Sequence, residues 1–224
     1  MSSEKDVLSR FDVENEIRMA ELQGREANFE GKIISSLIFK KRTIGVGINL
    51  RNAVVRHVIS LEETIINGSL NLAGAVVQES FYAGSATIGG DLILVDAKIS
   101  GVLNLISTTI KGSLNGERMN ISGFLSLTRS QIKDNVILRK AKISDAYHVG
   151  LIVKGDIYMR DAMITGNFEA QEAYIEGSLD MMNAYVANSV TLKSAQIGGS
   201  LITKNANFKG EVDFSGLKSK DIIE

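Results

Sequence analysis

The chain has 224 residues, 44% of them hydrophobic but only 6% aromatic, with no Trp, no Pro and no Cys. The lack of Cys excludes disulfides and thiolate metal sites. The 25 Lys and Arg against 26 Asp and Glu leave a formal charge of −1, which argues against a general nucleic-acid binder and equally against an acidic mimic of DNA.

The opening MSSEKDVLSR carries no apolar core of signal-peptide type, and no run approaches about 18 apolar residues. A cytoplasmic protein without membrane contact is therefore expected. Residues 1–24 read as an N-terminal capping helix: Ser3 with Asp6 resembles a capping box, Val7 and Phe11 are four apart, and Val13 and Ile17 repeat that spacing. This predicts a helix over 3–23, stopped by Gly24. Within 25–43, Ala27, Phe29, Gly31 and Ile33 begin a repeat, but Leu37 and Phe39 precede Ile44 in a second register, which predicts a loop or irregular coil.

From Ile44 an apolar residue opens every eleventh position: Val55, Ile66, Val77, Ile88, Ile99, Ile110, Ile121, Ile132, Ile143. One step of ten then leads to Val153, and eleven resumes through Ile164, Ile175, Val186, Ile197 and Phe208. Further apolar residues usually follow at offsets four and six, and a small one at offset nine, such as Ala53, Ala75, Ala97, Ala173 and Ala195. Gaps of two are strand-like, because alternate side chains share a face; gaps of three and four are corners. One eleven supplies two short walls and two corners, so two elevens close a four-walled coil of about 22 residues. Stacked coils make a parallel β-helix, with about eight to nine coils over 25–217 and a tail over 218–224. Recurring Gly and β-branched residues oppose amphipathic helices, and no period of six appears. The absence of Pro suits a chain held in ladders almost throughout, and the 21 Gly suit corners of unusual φ.

In Ala97–Ile99, Ala173–Ile175, Ala184–Val186, Ala195–Ile197 and Ala206–Phe208 a small residue stands two before an apolar centre. On these residues the chain resembles the pentapeptide-repeat proteins, in a divergent branch with eleven-residue spacing, over about 44–217. The resemblance implies an all-β, right-handed, four-sided parallel β-helix, and it also implies end-to-end homodimers. Its best-known members shield DNA gyrase through a strongly acidic rod, which this chain lacks. At the C-terminus, Phe208, Val212, Phe214 and Leu217 are expected to surround an uncovered coil and form a homodimer end, unless Ile222 and Ile223 fold across it as a plug.

Catalytic chemistry is sparse. His57 falls in a corner and His148, at offset five, on an outward wall position, too far apart for one site. Glu62, Glu63 and Glu172 lie on distant lines, and no Ser-His-Asp, P-loop or dinucleotide motif occurs. Basic residues cluster at Lys40, Lys41 and Arg42, and at Arg139, Lys140 and Lys142; without aromatics beside them they read as solvated corners. If the position before each opener faces outward, Val54 stacks on Val76, Met163 on Tyr185 and Ile152 on Tyr174, with Tyr158 and Met182 nearby. Exposed Tyr and Met mark protein interfaces, so Ile152, Tyr158, Met163, Tyr174, Met182 and Tyr185 are the candidate partner-binding surface. The expected function is a non-enzymatic binding or scaffold module with no cofactor and no metal, an unidentified protein partner, and no nucleic-acid role. The alternatives are a self-assembling, bactofilin-like structural protein or a gyrase-interacting protein.

Overall fold

A computed structural model describes residues 7–224. It is a parallel β-solenoid with one short helix at its N-terminal end. Each coil carries four two-residue strands, taken here as walls 1 to 4 in chain order. In the first coil these are Ala27–Asn28, Ile33–Ile34, Leu37–Ile38 and Thr43–Ile44. Wall 2 stacks ten strands and wall 3 nine. Walls 1 and 4 merge into a single sheet where Gln196–Ile202 and Lys218–Ile223 run unbroken around their shared corner.

Every pairing between coils is parallel and joins residues 22 apart, or 21 where a corner is one residue shorter. A two-residue strand places one side chain inward and one outward. The openers from Ile44 to Ile197 are buried, as are nearly all residues at offsets four and six. Each such Leu or Ile contributes about 1.5–3 kcal/mol relative to remaining in water. Offset nine is filled mostly by Ala. Where Thr64, Thr108 and Ser130 replace it, their hydroxyls donate to Phe39 O, Ala83 O and Leu105 O on the neighbouring coil at 2.7, 2.7 and 2.6 Å. Volume is conserved across the bore: Met119 stands at offset nine where Gly116 stands at offset six, and a Cβ on Gly116 would lie 2.5 Å from the Met119 sulfur.

The two kinds of corner have different causes. Between walls 1 and 2, and between walls 3 and 4, a β-turn closes from the amide at offset nine to the carbonyl at offset six, as Ala53 N donates to Leu50 O at 3.0 Å. The residue at offset eight is left-handed in this turn, and in fourteen cases it is not glycine. Asn at offset five prepares the turn by accepting from the amide two residues on, as Asn71 does from Ala73 N at 3.0 Å. In the other corners Gly at offset two makes room for the coil before it. A Cβ on Gly123 would fall 2.7 Å from Gly101 O, and one on Gly112 would strike Asp91 Oδ1. That Asp91 oxygen is committed: it accepts from Ser113 N at 2.8 Å, one link in a file running Ser69, Asp91, Ser113, Asn135, Asp156, Ser178. The expectation that glycine serves unusual φ is therefore corrected for most of these positions; close approach of neighbouring coils is the reason.

Three boundaries differ from expectation. Residues 25–43 are no irregular loop but a regular coil, with Ile34 rather than Ile33 as its buried opener, ten residues before Ile44. Residues 218–224 form no tail or plug: Lys218–Ile223 is the last strand, pairing with Gln196–Ile202. The helix is Arg10–Gln23 rather than 3–23, capped by Ser9, whose side chain accepts from Asp12 N at 3.2 Å while Asp12 accepts from Ser9 N at 2.8 Å. These bonds to Ser9 lower the Asp12 pKa. Ser3 and Asp6 lie outside the described residues. Val7–Leu8 is a strand on wall 2, so Val7 and Phe11 share no helical face, and Phe11 is 77% exposed. Gly24, left-handed, ends the helix as expected.

The helix covers the first coil. Val13, Ile17 and Ala20 are buried in the same core as Ala27, Phe29 and Ile34. Glu16 accepts from Asn28 N at 2.8 Å and Glu21 from Gly45 N at 2.8 Å, satisfying first-coil amides that no earlier strand reaches.

Candidate binding surface

The six sequence-predicted surface residues fall into two groups. Tyr158 lies on wall 1, Met182 in the corner leading to wall 2, and Met163 and Tyr185 are in register on wall 2. Ile152 and Tyr174 are in register on wall 4. Wall 4 faces away from wall 2, because walls 1 and 3 separate them on either side. Met163, Tyr174 and Ile152 are 43%, 40% and 37% exposed.

The first group meets a basic cluster that sequence reasoning kept apart from it. Arg139 and Lys140 stand in the corner between walls 1 and 2, and Lys142 is in register with Met163. The Arg139 guanidinium lies 5.6 Å from the Tyr158 ring centroid, a cation–π contact. Tyr158 donates its hydroxyl to Asp156 Oδ2 at 2.7 Å, and this carboxylate, then burial, raises its pKa. On the same coil as Tyr158, Arg160 pairs with nearly buried Asp180 of the next coil, whose Oδ1 accepts from Met182 N at 3.1 Å and so sets the corner carrying that Met. Lys140 and Lys142 have no ion-pair partner among the described residues. The result is one corner bearing two tyrosines, two methionines and four cations, of which Arg160 is paired with Asp180. The signal that links Arg139 to Tyr158 is their place on successive coils, nineteen residues apart because both the coil and the offset are short.

Compared with protein-family models, with curated proteins and with solved structures, the chain matches none.

The histidines separate further than expected. His57 is exposed and its Nδ1 lies 3.0 Å from Glu79. His148 is inward, only 2% exposed, not on an outward position. The ten-residue step removes one residue from the corner after Ile143, so Ala146 takes the place of offset four and His148 that of offset six. Both its ring nitrogens lack hydrogen-bond partners, and burial lowers its pKa to about 4. Glu62 and Glu63 pair with Lys40 and Lys41 on the preceding coil, and Arg42 pairs with Glu14 of the helix. No group of three or more metal-ligating side chains occurs among the described residues. No helix among them is long and apolar enough to cross a membrane.

At the C-terminal end Phe208, Phe214 and Leu217 are partly buried against the core, while Val212 is 44% exposed. Ile222 occupies the inward file beneath Leu201 and is nevertheless 50% exposed, since no further coil lies over it.

Proposed function

We propose that the chain is a non-enzymatic binding or scaffold module that presents the corner between walls 1 and 2 to a protein partner. The observation that carries this reading is the gathering of Tyr158, Met163, Met182 and Tyr185 around Arg139, Lys140 and Lys142. Tyr, Met and Arg are the residues enriched at interface cores, whereas a merely solvated wall favours Lys and Glu. The burial of His148 and the pairing of Glu62 and Glu63 with lysines leave those groups to structure rather than catalysis. A cytoplasmic setting suits a chain without cysteine.

The same reading has the last coil pairing with that of a second copy through Phe208, Val212, Phe214 and Leu217, joined by Ile222. A filament needs an open edge at both ends, and the helix covers the first. Two experiments test the proposal. A photo-crosslinker replacing Tyr185 should capture one discrete protein that the same crosslinker replacing Asn104 on wall 3 does not; equal capture at both positions removes the reading. Sedimentation velocity over a wide concentration range should give an elongated dimer that Val212→Asp converts to monomer, and a wild-type monomer throughout refutes the pairing.

A further inference from the structure

Several exposed charges on this solenoid follow a rule: they are paired with the opposite sign one coil away. Glu30 with Arg51, Lys40 with Glu62, Lys41 with Glu63, Asp96 with Arg118, and Lys154 with Glu176 all occupy equivalent positions on neighbouring coils. The Arg118 side chain beside Asp96 accordingly lowers that carboxyl's pKa. The rule has a physical basis, since opposite charges on paired strands attract and like charges repel.

One file breaks it. Lys111, Lys133 and Lys154 directly follow the wall 4 strands of three successive coils and are all exposed. Strands repeat at about 4.8 Å, so three ammonium groups fall within about 10 Å along the rod. Only Lys154, at the end of the file, has an acidic partner among the described residues. Elsewhere Arg118 is relieved by Asp96 and Glu117, Arg160 by Asp180, and Arg139 by the Tyr158 ring. Lys111 and Lys133 lack such relief. The three lysines edge a shallow groove of about 220 Å³ whose floor is largely apolar, with Thr109 and Gln131 at its side and Ile152 open to solvent.

We propose that this groove is a docking strip for a short acidic segment of a partner protein, distinct from the corner proposed above. An extended peptide advances about 3.3 Å per residue, so three to four residues match the file and can set two or three carboxylates against the lysines. An apolar side chain of the same segment rests on Ile152. A nucleic-acid backbone fits less well. Proteins that track it meet many phosphates in a row, and here the file ends after three cations at Glu176.

The test uses the full chain and a fluorescein-labelled nonapeptide of three Glu-Leu-Glu repeats, with the Gln-Leu-Gln peptide and a twelve-residue oligothymidylate as comparisons. Fluorescence anisotropy should show binding of the acidic peptide alone, weakening as salt screens the charges. Lys133→Glu restores the alternation of sign. It should therefore reduce peptide affinity at least tenfold while leaving Tm unchanged or raising it by about 1–3 °C. The proposal is overturned if the wild type does not bind the acidic peptide, if Lys133→Glu binds it equally, or if the oligothymidylate binds more tightly. It also falls if Lys133→Glu lowers Tm, since the file would then not be a site of repulsion.

Discussion

Replacing His148 by Leu should stabilise the protein, and by an amount that depends on pH. His148 sits in an inward file between Leu127 and Ala170, with the Phe168 ring edge-on at 5.4 Å. Neither ring nitrogen is hydrogen-bonded. Unsatisfied buried polar groups cost about 1–3 kcal/mol, and Leu already occupies this file at Leu105, Leu127 and Leu192. At pH 7 the substitution should therefore gain about 1–3 kcal/mol, or about 2–10 °C in Tm for a chain of this length. The sign of the pH effect follows from proton linkage. The folded pKa is lowered from 6.5 to about 4, so between these values the unfolded chain binds a proton that the folded chain refuses. The protonation penalty of this group is thus small above pH 6.5, and wild-type stability falls as pH drops through the window, by about 3 kcal/mol on reaching pH 4. The variant lacks this loss. Urea unfolding of both proteins at pH 7, 6 and 5 should show a gap that widens toward acid. A gap independent of pH, or a variant less stable at pH 7, would refute the reasoning, because either result requires a solvated or partnered imidazole.

Three further substitutions test other parts of the fold. Gly177→Ala drives a Cβ to 2.7 Å from Gly155 O and onto the Asp156 oxygen that accepts from Ser178 N; thermal unfolding should show a loss of about 1–3 kcal/mol. Thr108→Val removes the donor to Ala83 O without changing shape, and calorimetry should register about 1 kcal/mol of destabilisation. Ser9→Ala breaks the reciprocal cap with Asp12 and should cost about 1 kcal/mol, seen as faster amide exchange in the first helical turn than in coils further along.

The solenoid was legible because its determinant is local and repeated: an inward residue every eleventh position specifies two walls, and any one line can be checked against the next. Errors arose where one residue changes the phase. The corner after Ile143 is short by one, so counting from Ile143 sent His148 outward when Ala146 had already moved the register. Ile33 stands eleven residues before Ile44 and Ile34 ten, so the regular spacing points to the outward one of the pair. Ser9-x-x-Asp12 has the same form as Ser3-x-x-Asp6, and pairing of Val7–Leu8 with Ile33–Ile34, a contact across 26 residues, puts the start of the Arg10–Gln23 helix after Leu8. The surface was harder still. Outward side chains carry no burial constraint, so composition alone leaves Arg139 and Tyr158 unconnected and joins into one expected patch residues that the structure divides between two opposed walls.

The coil-to-coil spacing of 21 or 22 residues also bears on how the chain is made. No strand needs a partner more than one coil ahead, and the helix meets the first coil from the outset. During synthesis, which proceeds from the N-terminus, each new set of about 22 residues can settle on a surface already complete, as expected where stability resides in nearest-neighbour interfaces. Growth of this kind lets each strand, Lys218–Ile223 included, find its partner among residues already laid down.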